Sequence, residues 1–427
     1  MIEYDPLHPP NWQNPYPTYA RLRDEAPVHY AEQTGTYCVS RYADVATVMR
    51  DPETFSSAAA FEVLMKGRIA QIGVRDALEV VRFLYRARLN PLRLRKNPPV
   101  SIITSDPPQH DALRAIVNRG FTPRQIRSWE PRMREIVADC MKKIHTGKAF
   151  DVVSDLAIPL PVAIIADLLG VGADRHADFK RWSDDIVAGS SGSQRSDTFG
   201  PFLRSMGELT AYMHKVADER RKNPADDVIS LLVDPKNGEA LDAGVLAQFV
   251  IVLLVAGNET TTNLIGNATK ALLDHPDQLE RVQDDPTLIP NMVEEVLRYD
   301  PPVQFIFRRA TRPVEIAGTL IPENASVAVM LASANRDERQ FEDPDSFDVT
   351  RDTKGHMSFG LGIHFCLGAS VARLEARVAF EALLPELRQL QRAESESAFV
   401  DSYLVRGLDR LELVPACRDR DPDPQCV

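Results

Sequence analysis

Residues 359–368 read FGLGIHFCLG and place a single cysteine, Cys366, among glycines and apolar residues just before a helical pattern. Glycines allow a tight turn whose backbone N–H groups point at the sulfur, and the start of a helix favours negative charge. Such surroundings stabilise a thiolate and keep water away from it. The pattern therefore predicts that Cys366 binds haem iron as a thiolate, with His364 placed to hydrogen-bond a haem propionate.

For any cysteine considered alone, the alternative is an inert thiol that packs like a small apolar residue. The ten-residue run, however, resembles the haem-binding loop of the cytochrome P450 family at every constrained position. Further motifs extend this resemblance from about residue 5 to about residue 415. It implies a haem b cofactor held by Cys366, with Phe359 and Gly368 beside it in the same loop.

The apolar run of residues 249–257 lies in a helical pattern that continues to about residue 273, which predicts a buried helix of roughly 30 residues. Gly257 and the threonines at 260–262 are poor helix formers, and a threonine hydroxyl that bonds a carbonyl one turn earlier distorts a helix. This is either a flaw that packing tolerates or a groove for a small ligand. The stretch AGNETT resembles the oxygen-binding motif of the P450 family. The resemblance places Ala256 and Gly257 against the haem and implies that Glu259 and Thr260 relay protons to dioxygen.

Glu295 and Arg298 stand three residues apart on a predicted helix, where an acid and a base can pair. Most helical pairs of this kind are solvated surface pairs. These two residues follow the oxygen-binding helix and precede Cys366 by about 70 residues, as in the Glu-x-x-Arg pair of the P450 family. The resemblance implies that they stabilise the fold and take no part in catalysis.

Haem propionates need cations or hydrogen-bond donors. His110 and Arg114 lie four residues apart after a proline start, so they share one face of a predicted helix. Arg308 is predicted to open the strand that precedes Val314. Each of these is, taken alone, equally typical of an ordinary surface charge. They stand where the P450 family places its propionate ligands, and with His364 they form a set able to neutralise two carboxylates.

The order of elements predicts a mainly helical protein with a minor β-sheet region, and the P450 resemblance implies the same fold. A short helix, a strand pair and a second helix over residues 42–50 open the chain. Helical periodicity then dominates residues 107–288. Strands return at residues 314–316 and 325–330, a last helix over about 367–384 ends before Pro385, and β character reappears after Phe399.

No linker divides the 427 residues, which predicts one domain over residues 1–415 and a disordered tail over 416–427. A net charge of −11 gives no electrostatic reason to expect nucleic acid. Five scattered cysteines and a first segment without a signal-peptide pattern fit a reducing cytoplasm. The longest apolar run, residues 249–257, is shorter than the roughly 20 residues that span a bilayer. We therefore expect a soluble, monomeric, cytoplasmic protein of the bacterial type, without a membrane anchor.

Residues 66–96 contain nine basic and two acidic residues, a local charge of +7 in an acidic protein, with apolar residues interleaved. A solvated helix face is one interpretation. The others are attraction of an anionic amphiphile such as a fatty acid and docking of an acidic partner. The P450 resemblance places this segment over the haem entrance, which favours a lipid-like acid. Residues 185–202, which include a Gly/Ser run, are predicted to form a mobile loop of a lid.

The residues that the resemblance places around the substrate are almost all apolar, which implies a hydrophobic substrate. They are Val252, Val255, Ala256, Val303, Phe305, Ile306, Tyr403 and Leu404. The resemblance implies a monooxygenase that uses O2 and electrons from NAD(P)H, delivered by a separate ferredoxin and reductase, because the sequence has neither a flavin nor an iron–sulfur motif. The alternatives are a non-catalytic haem sensor or carrier and a peroxide-driven peroxygenase.

Overall fold

The computed structural model describes residues 2–8, 12–58, 74–86, 101–146, 148–190, 199–225, 227–237, 240–241, 243–393, 398–400 and 402–416. Within these residues the chain is mainly helical and forms one domain. The α-helices are α1 Tyr16–Glu25, α2 Tyr42–Arg50, α3 Val74–Arg86, α4 Gln109–Val117, α5 Pro123–Met141, α6 Pro159–Leu168, α7 His176–Ser190, α8 Phe199–Lys222, α9 Val228–Val233, α10 Ala243–Asp274, α11 Pro276–Asp284, α12 Ile289–Tyr299, α13 Leu331–Ala334 and α14 Ala369–Glu386.

The strands form a minor part of the fold, as the sequence predicted. They are β1 Val28–Ala31, β2 Thr36–Val39, β3 Phe55–Ser56, β4 Phe150–Asp151, β5 Ile306–Ala310, β6 Val314–Ile316, β7 Thr319–Ile321, β8 Ser326–Val329, β9 Leu390–Arg392 and β10 Glu412–Pro415. The largest sheet has the order β1-β2-β8-β5-β3, in which β2 and β8 run parallel and the other neighbours antiparallel. Strands β4, β10 and β9 form a second sheet, and β6 pairs with β7.

Helix α10 is the central element and confirms the predicted long buried helix. It has 32 residues and packs against α6, α7, α8, α12 and α14. By length and composition it is apolar enough to cross a membrane. Its side chains Leu246, Val250, Leu254 and Ile265, however, lie in the largest hydrophobic cluster of the protein. Burial of this apolar surface stabilises the fold, so α10 is a core helix of a globular domain.

Four expectations need correction. Arg308 lies in the middle of β5, which begins at Ile306, so it does not open the strand. Helix α14 continues through Pro385 to Glu386; the proline has no N–H to donate to the preceding turn, and the helix ends one residue later. The helical region is interrupted by the short strand β4, which pairs with β10. The predicted loop 185–202 is helical at both ends, since α7 ends at Ser190 and α8 begins at Phe199.

Some expectations concern residues outside the described part of the chain. Residues 191–198 of the predicted lid loop are among them. The same holds for residues 417–427 of the predicted tail and for residues 66–73 and 87–96 of the basic segment. The remainder of the basic segment is helical, as the sequence suggested, and forms α3, which packs against α8.

Candidate active site

The loop that carries Cys366 depends on two glycines with positive φ. Gly360 has φ +73° and Gly362 has φ +69°, a region that residues with a Cβ adopt only at a cost. A Cβ on Gly362 would also lie 2.7 Å from the carbonyl oxygen of Met49. The Cys366 N–H donates to the carbonyl of Phe359 at 2.8 Å, which closes the loop. The glycines therefore set the path that delivers the cysteine to the start of α14.

The sulfur of Cys366 is surrounded by groups that favour negative charge. Cys366 is a free cysteine and is only partly buried. Burial raises the pKa of its thiol, while the backbone N–H groups of Gly368 and Ala369 and the charges of Arg114 and Arg373 lower it. Two donated N–H groups and two nearby cations suit a thiolate bound to a metal, because metal coordination removes the remaining thiol proton.

A cluster of basic side chains lies beside this loop. The rings of His110 and His364 have centroids 4.4 Å apart, and His364 Nε2 lies 2.9 Å from the Ser57 hydroxyl. Burial, followed by the charges of Arg308 and His110, lowers the pKa of His364 to about 4. Burial likewise lowers the pKa of Arg308 to about 10. Asp106 attracts both groups and accepts the Ser57 N–H at 2.9 Å.

This cluster fits the two propionates of a haem. His110 is buried, and its Nε2 atom has no hydrogen-bond partner among the residues that the structure describes. Arg114, half-buried on the same helix, donates to Asn118 at 3.1 Å, and burial lowers its pKa. Like charges held together away from water are costly unless anions join them. His110, Arg114, Arg308 and His364 are thus brought together as predicted and would hold haem carboxylates, with Cys366 as the iron ligand.

One face of α10 is left partly uncovered by protein. Thr260 donates its hydroxyl to the carbonyl of Ala256 at 2.6 Å, the back-bond that the sequence predicted, and the helix continues without a break. Ala256 is exposed, its neighbours Val255 and Gly257 are partly buried, and a Cβ on Gly257 would lie 3.2 Å from Ile165. Burial raises the pKa of Glu259 to about 7. Glu259 can therefore both accept and release a proton near neutral pH.

Other polar groups of α10 are buried, and sequence reasoning missed them. Asn258 donates to the Ser183 hydroxyl on α7 at 2.9 Å, which ties α7 to α10 next to Glu259. The Thr261 side chain hydrogen-bonds Glu375 of α14, whose pKa burial raises to about 8. The signal for Glu375 was its position on the apolar face of the helix that follows Cys366, where a carboxyl needs a specific partner.

Glu295 and Arg298 form the predicted pair, and both are fully buried. Arg298 Nε and Nη2 donate to the two carboxylate oxygens of Glu295 at 2.7 and 2.8 Å. Arg298 also donates to the carbonyls of Pro344 and Ser346 at 2.8 and 3.1 Å. The contacts of Arg298 with these carbonyls join α12 to the chain that leads towards the Cys366 loop, so the geometry is that of a structural tie.

The predicted substrate residues do not all lie together. Val303 and Ile306 pack against one hydrophobic cluster of the sheet, whereas Phe305 belongs to another with Tyr403 and Leu404. Side chains alternate along extended chain, so Phe305 points away from Ile306 and Arg308. Phe305 is 1% exposed, with its ring centroid 6.5 Å from that of Tyr403. The structure thus separates Phe305 from the haem-side face of β5. Val252 and Val255 are partly buried on the uncovered side of α10.

The sequence matches the family profile described as Cytochrome P450 over residues 79–398. It is 38% identical to cytochrome P450 monooxygenase PikC of Streptomyces venezuelae, over 94% of this chain and 91% of that protein. It is 37% identical to vitamin D(3) 25-hydroxylase of Pseudonocardia autotrophica, over 94% and 93%.

Among solved structures, cytochrome P450 CYP109Q5 from Chondromyces apiculatus superimposes with a TM-score of 0.82 at 40% identity and covers 98% of this chain and 100% of that one. Likeness at this level extends over the whole fold and includes the cysteine loop. The chain belongs to the cytochrome P450 family, whose haem-thiolate cofactor and monooxygenase activity it shares.

Proposed function

We propose that this P450 hydroxylates a hydrophobic small molecule of the fatty acid, terpenoid or steroid class. O2 supplies the oxygen atom, and a ferredoxin and its reductase deliver electrons from NAD(P)H. The proposal includes a monomeric, cytoplasmic protein.

The uncovered face of α10 is the observation that carries this proposal. Buried helices of a globular protein are covered on all sides by packed side chains. Here, Ala256 is exposed and its neighbours Val252 and Val255 are only partly buried, while Leu254 on the other side of the helix is fully buried. An apolar wall next to Glu259 and Thr260 suits a substrate whose binding buries apolar surface, worth about 25 cal/mol per Å².

The residues of the site have separate tasks in this reaction. A haem with a thiolate ligand supplies the activation of O2 for insertion into a C–H bond. Cys366 provides the thiolate, and the basic cluster orients the cofactor through its carboxylates. Glu259, with a pKa of about 7, and the Thr260 hydroxyl move protons towards dioxygen. The apolar wall of α10 excludes water and positions the substrate.

The substrate class also draws on a relative. The vitamin D(3) 25-hydroxylase acts, by its name, on vitamin D(3). The apolar wall of α10 in this chain favours a hydrophobic substrate as well. A screen of fatty acids, terpenoids and steroids tests this, because a bound substrate displaces the water on the iron and shifts the Soret band to shorter wavelength.

The sequence alone also allowed a haem sensor or carrier and a peroxygenase, and turnover assays distinguish these from the monooxygenase. A sensor needs no proton relay, so Glu259 and Thr260 favour the enzyme. Turnover of a screened ligand with NAD(P)H, ferredoxin and reductase supports the monooxygenase, and turnover with hydrogen peroxide alone supports the peroxygenase. Binding without product in either assay would leave the sensor.

The iron ligand can be tested by spectroscopy. The reduced, carbon-monoxide-bound protein is expected to show the red-shifted Soret band of a thiolate-ligated haem. Cys366→Ser is expected to lose that band, while Cys140→Ser, which alters a half-buried cysteine on α5, keeps it. Retention of the band in Cys366→Ser would contradict the assignment.

A further inference from the structure

Glu294 lies on α12 next to Glu295 and makes a different set of contacts. Its two carboxylate oxygens accept from Arg373 Nε and Nη2 at 2.6 and 2.8 Å. His356 Nε2 lies 2.9 Å from the same carboxylate. His356 precedes Cys366 by ten residues, and Arg373 follows it by seven. One carboxylate thus holds the chain on both sides of the iron ligand.

The hydrogen bonds of His356 indicate which of its ring nitrogens carries the hydrogen. The Ser358 N–H donates to His356 Nδ1 at 3.3 Å, so that nitrogen carries no hydrogen, and Nε2 is the donor to Glu294. The Ser358 hydroxyl donates to the carbonyl of Leu297, also on α12, at 2.5 Å. Helix α12 therefore hydrogen-bonds the start of the loop at two points, Glu294 and Leu297, which lie about one helical turn apart.

Arg373, which donates to Glu294, also contacts the aromatic part of the loop. Its guanidinium lies 4.4 Å from the centre of the Phe359 ring, and Phe359 is the residue whose carbonyl accepts the Cys366 N–H. A cation above an aromatic face is attracted to it. Burial opposes the charge of Glu294, but hydrogen bonds from Arg373 and His356 hold its pKa at about 2. The carboxylate therefore stays ionised throughout the working pH range.

We infer that Glu294 is a positioning residue for the iron ligand: by binding His356 and Arg373 together, it fastens both ends of the Cys366 loop to α12 and keeps the sulfur presented to the haem. The inference rests on Cys366 as the iron ligand. It assigns to Glu294 a task separate from that of Glu295, which accepts from Arg298, the residue that donates to carbonyls of the chain that precedes the loop.

The test uses the haem-loaded enzyme and Glu294→Gln. A glutamine has one acceptor oxygen instead of two and no charge, so it cannot accept the paired Nε and Nη2 donors of Arg373 together with His356 Nε2 as the carboxylate does. Glu130→Gln is the matched control, because Glu130 of α5 accepts from Arg134 and from Arg377, one turn beyond Arg373 on α14. The two carboxylates are similarly exposed, at 23% and 26%.

The rate at which the carbon monoxide complex loses its thiolate Soret band is measured in mild guanidinium. Glu294→Gln is expected to lose the band at least about tenfold faster than wild type. The rate for Glu130→Gln is expected to lie within about twofold of the wild-type rate. Far-UV circular dichroism of the same samples follows global unfolding, which is expected to lag behind band loss in Glu294→Gln. His356→Phe and Arg373→Leu are expected to show smaller effects of the same kind.

Three results would overturn the inference. Equal band loss in Glu294→Gln and Glu130→Gln would show that the loop does not need Glu294. If the Soret band of Glu294→Gln disappeared at the same rate as the far-UV circular dichroism signal, Glu294 would contribute only to general stability. A wild type without the thiolate band would remove the proposed function and this inference together, whereas the first two results leave the function standing.

Discussion

At the scale of single residues, two carboxyl groups near α10 are partly protonated at neutral pH because burial disfavours their charge. The pKa of Glu259 is raised to about 7 and that of Glu375 to about 8. Glu259 borders the uncovered face of α10, whereas Glu375 is 3% exposed and bonded to Thr261. Only Glu259 is therefore placed to exchange protons at the site, and Glu375 is a neutral hydrogen-bonding group of the core.

Replacement of Thr260 tests the proton relay. A positioned relay contributes on the order of 10² to 10⁴ in rate, so Thr260→Ala is expected to divert electrons into peroxide while substrate binding stays nearly intact. Thr260→Ser keeps the hydroxyl that bonds the Ala256 carbonyl and is expected to retain most of the coupling. The measurement is product formed per NAD(P)H consumed, and an unchanged yield in Thr260→Ala would rule out the relay.

Replacement of Glu375 tests its raised pKa through stability. The pKa of about 8 exceeds the ordinary value of 4.5, so the folded state binds the proton more tightly than the unfolded state. Stability is then highest at low pH with respect to this group and is lost as pH rises from about 4.5 towards about 8. Glu375→Gln removes this loss, and we expect it to be more stable than wild type at about pH 9 by on the order of 2 kcal/mol.

Chemical denaturation at about pH 4, below the ordinary pKa of 4.5, and at about pH 9 measures the difference. At the lower pH both proteins carry a neutral side chain here, so their free energies of unfolding are expected to agree closely. Glu381→Gln makes the same substitution on the same helix at a side chain that is 32% exposed, and it is the control for the substitution itself. An identical Glu375→Gln effect at both pH values would contradict the raised pKa.

At the scale of elements, the cysteine loop needs glycine for two reasons, a positive φ and a lack of space for a Cβ. A comparison of Gly362 with Gly318 distinguishes the cost of the one from the cost of the other. Gly362 has φ +69° and would clash with Met49, whereas Gly318 has φ +78° with nothing within 4 Å of a Cβ. Gly318→Ala is expected to cost about 1 kcal/mol from φ alone. Gly362→Ala is expected to cost clearly more and to reduce haem content, measured by Soret absorbance per protein. Equal costs would show that the contact with Met49 gives way.

The sequence predicted pairs along one helix better than contacts between elements. The spacing of Glu295 and Arg298 predicted their pairing, because residues three apart share a helix face. Their full burial depends on carbonyls at Pro344 and Ser346, far away in sequence, which no local pattern reveals. Glu294 differs from Glu295 by about 100° of helix rotation, so the same residue type binds different partners.

Strand register likewise limited how well the sequence could predict the residues of the substrate pocket. The residues at positions 303, 305 and 306 are all apolar, so the sequence does not distinguish which of them faces the substrate pocket. Once β5 is fixed by its pairing with β8, alternation puts Phe305 and Ile306 on opposite sides of the sheet. Val303 lies before β5 and packs in the same cluster as Ile306, which alternation alone does not predict. The motifs at Cys366 and Thr260 were predictable because their chemistry is local, whereas the partition of the pocket depends on the assembled sheet.

At the scale of the whole molecule, a strongly basic segment lies in an acidic protein, and its described part is already largely paired. In α3, Arg82 binds Glu79 at 2.7 Å and Arg86 lies 3.4 Å from Glu208 of α8. The exposed side chains of this helix include Leu78, Val81 and Tyr85, at 62%, 64% and 85%. An amphiphile that approached α3 would meet apolar side chains beside arginines whose charges are partly neutralised.

The whole-molecule prediction is that an anionic amphiphile binds more tightly than its neutral ester, but only modestly. A partly exposed charge pair contributes about 1 kcal/mol, and salt screens it, so a several-fold preference that shrinks as ionic strength rises is expected. Titration of a fatty acid and its methyl ester by the Soret shift, at low and high salt, measures it. Arg82→Gln, which removes one described charge, is expected to reduce the preference at low salt and to leave the ester unaffected. Equal affinities of acid and ester at both salt concentrations would identify the segment as a solvated, arginine-rich face.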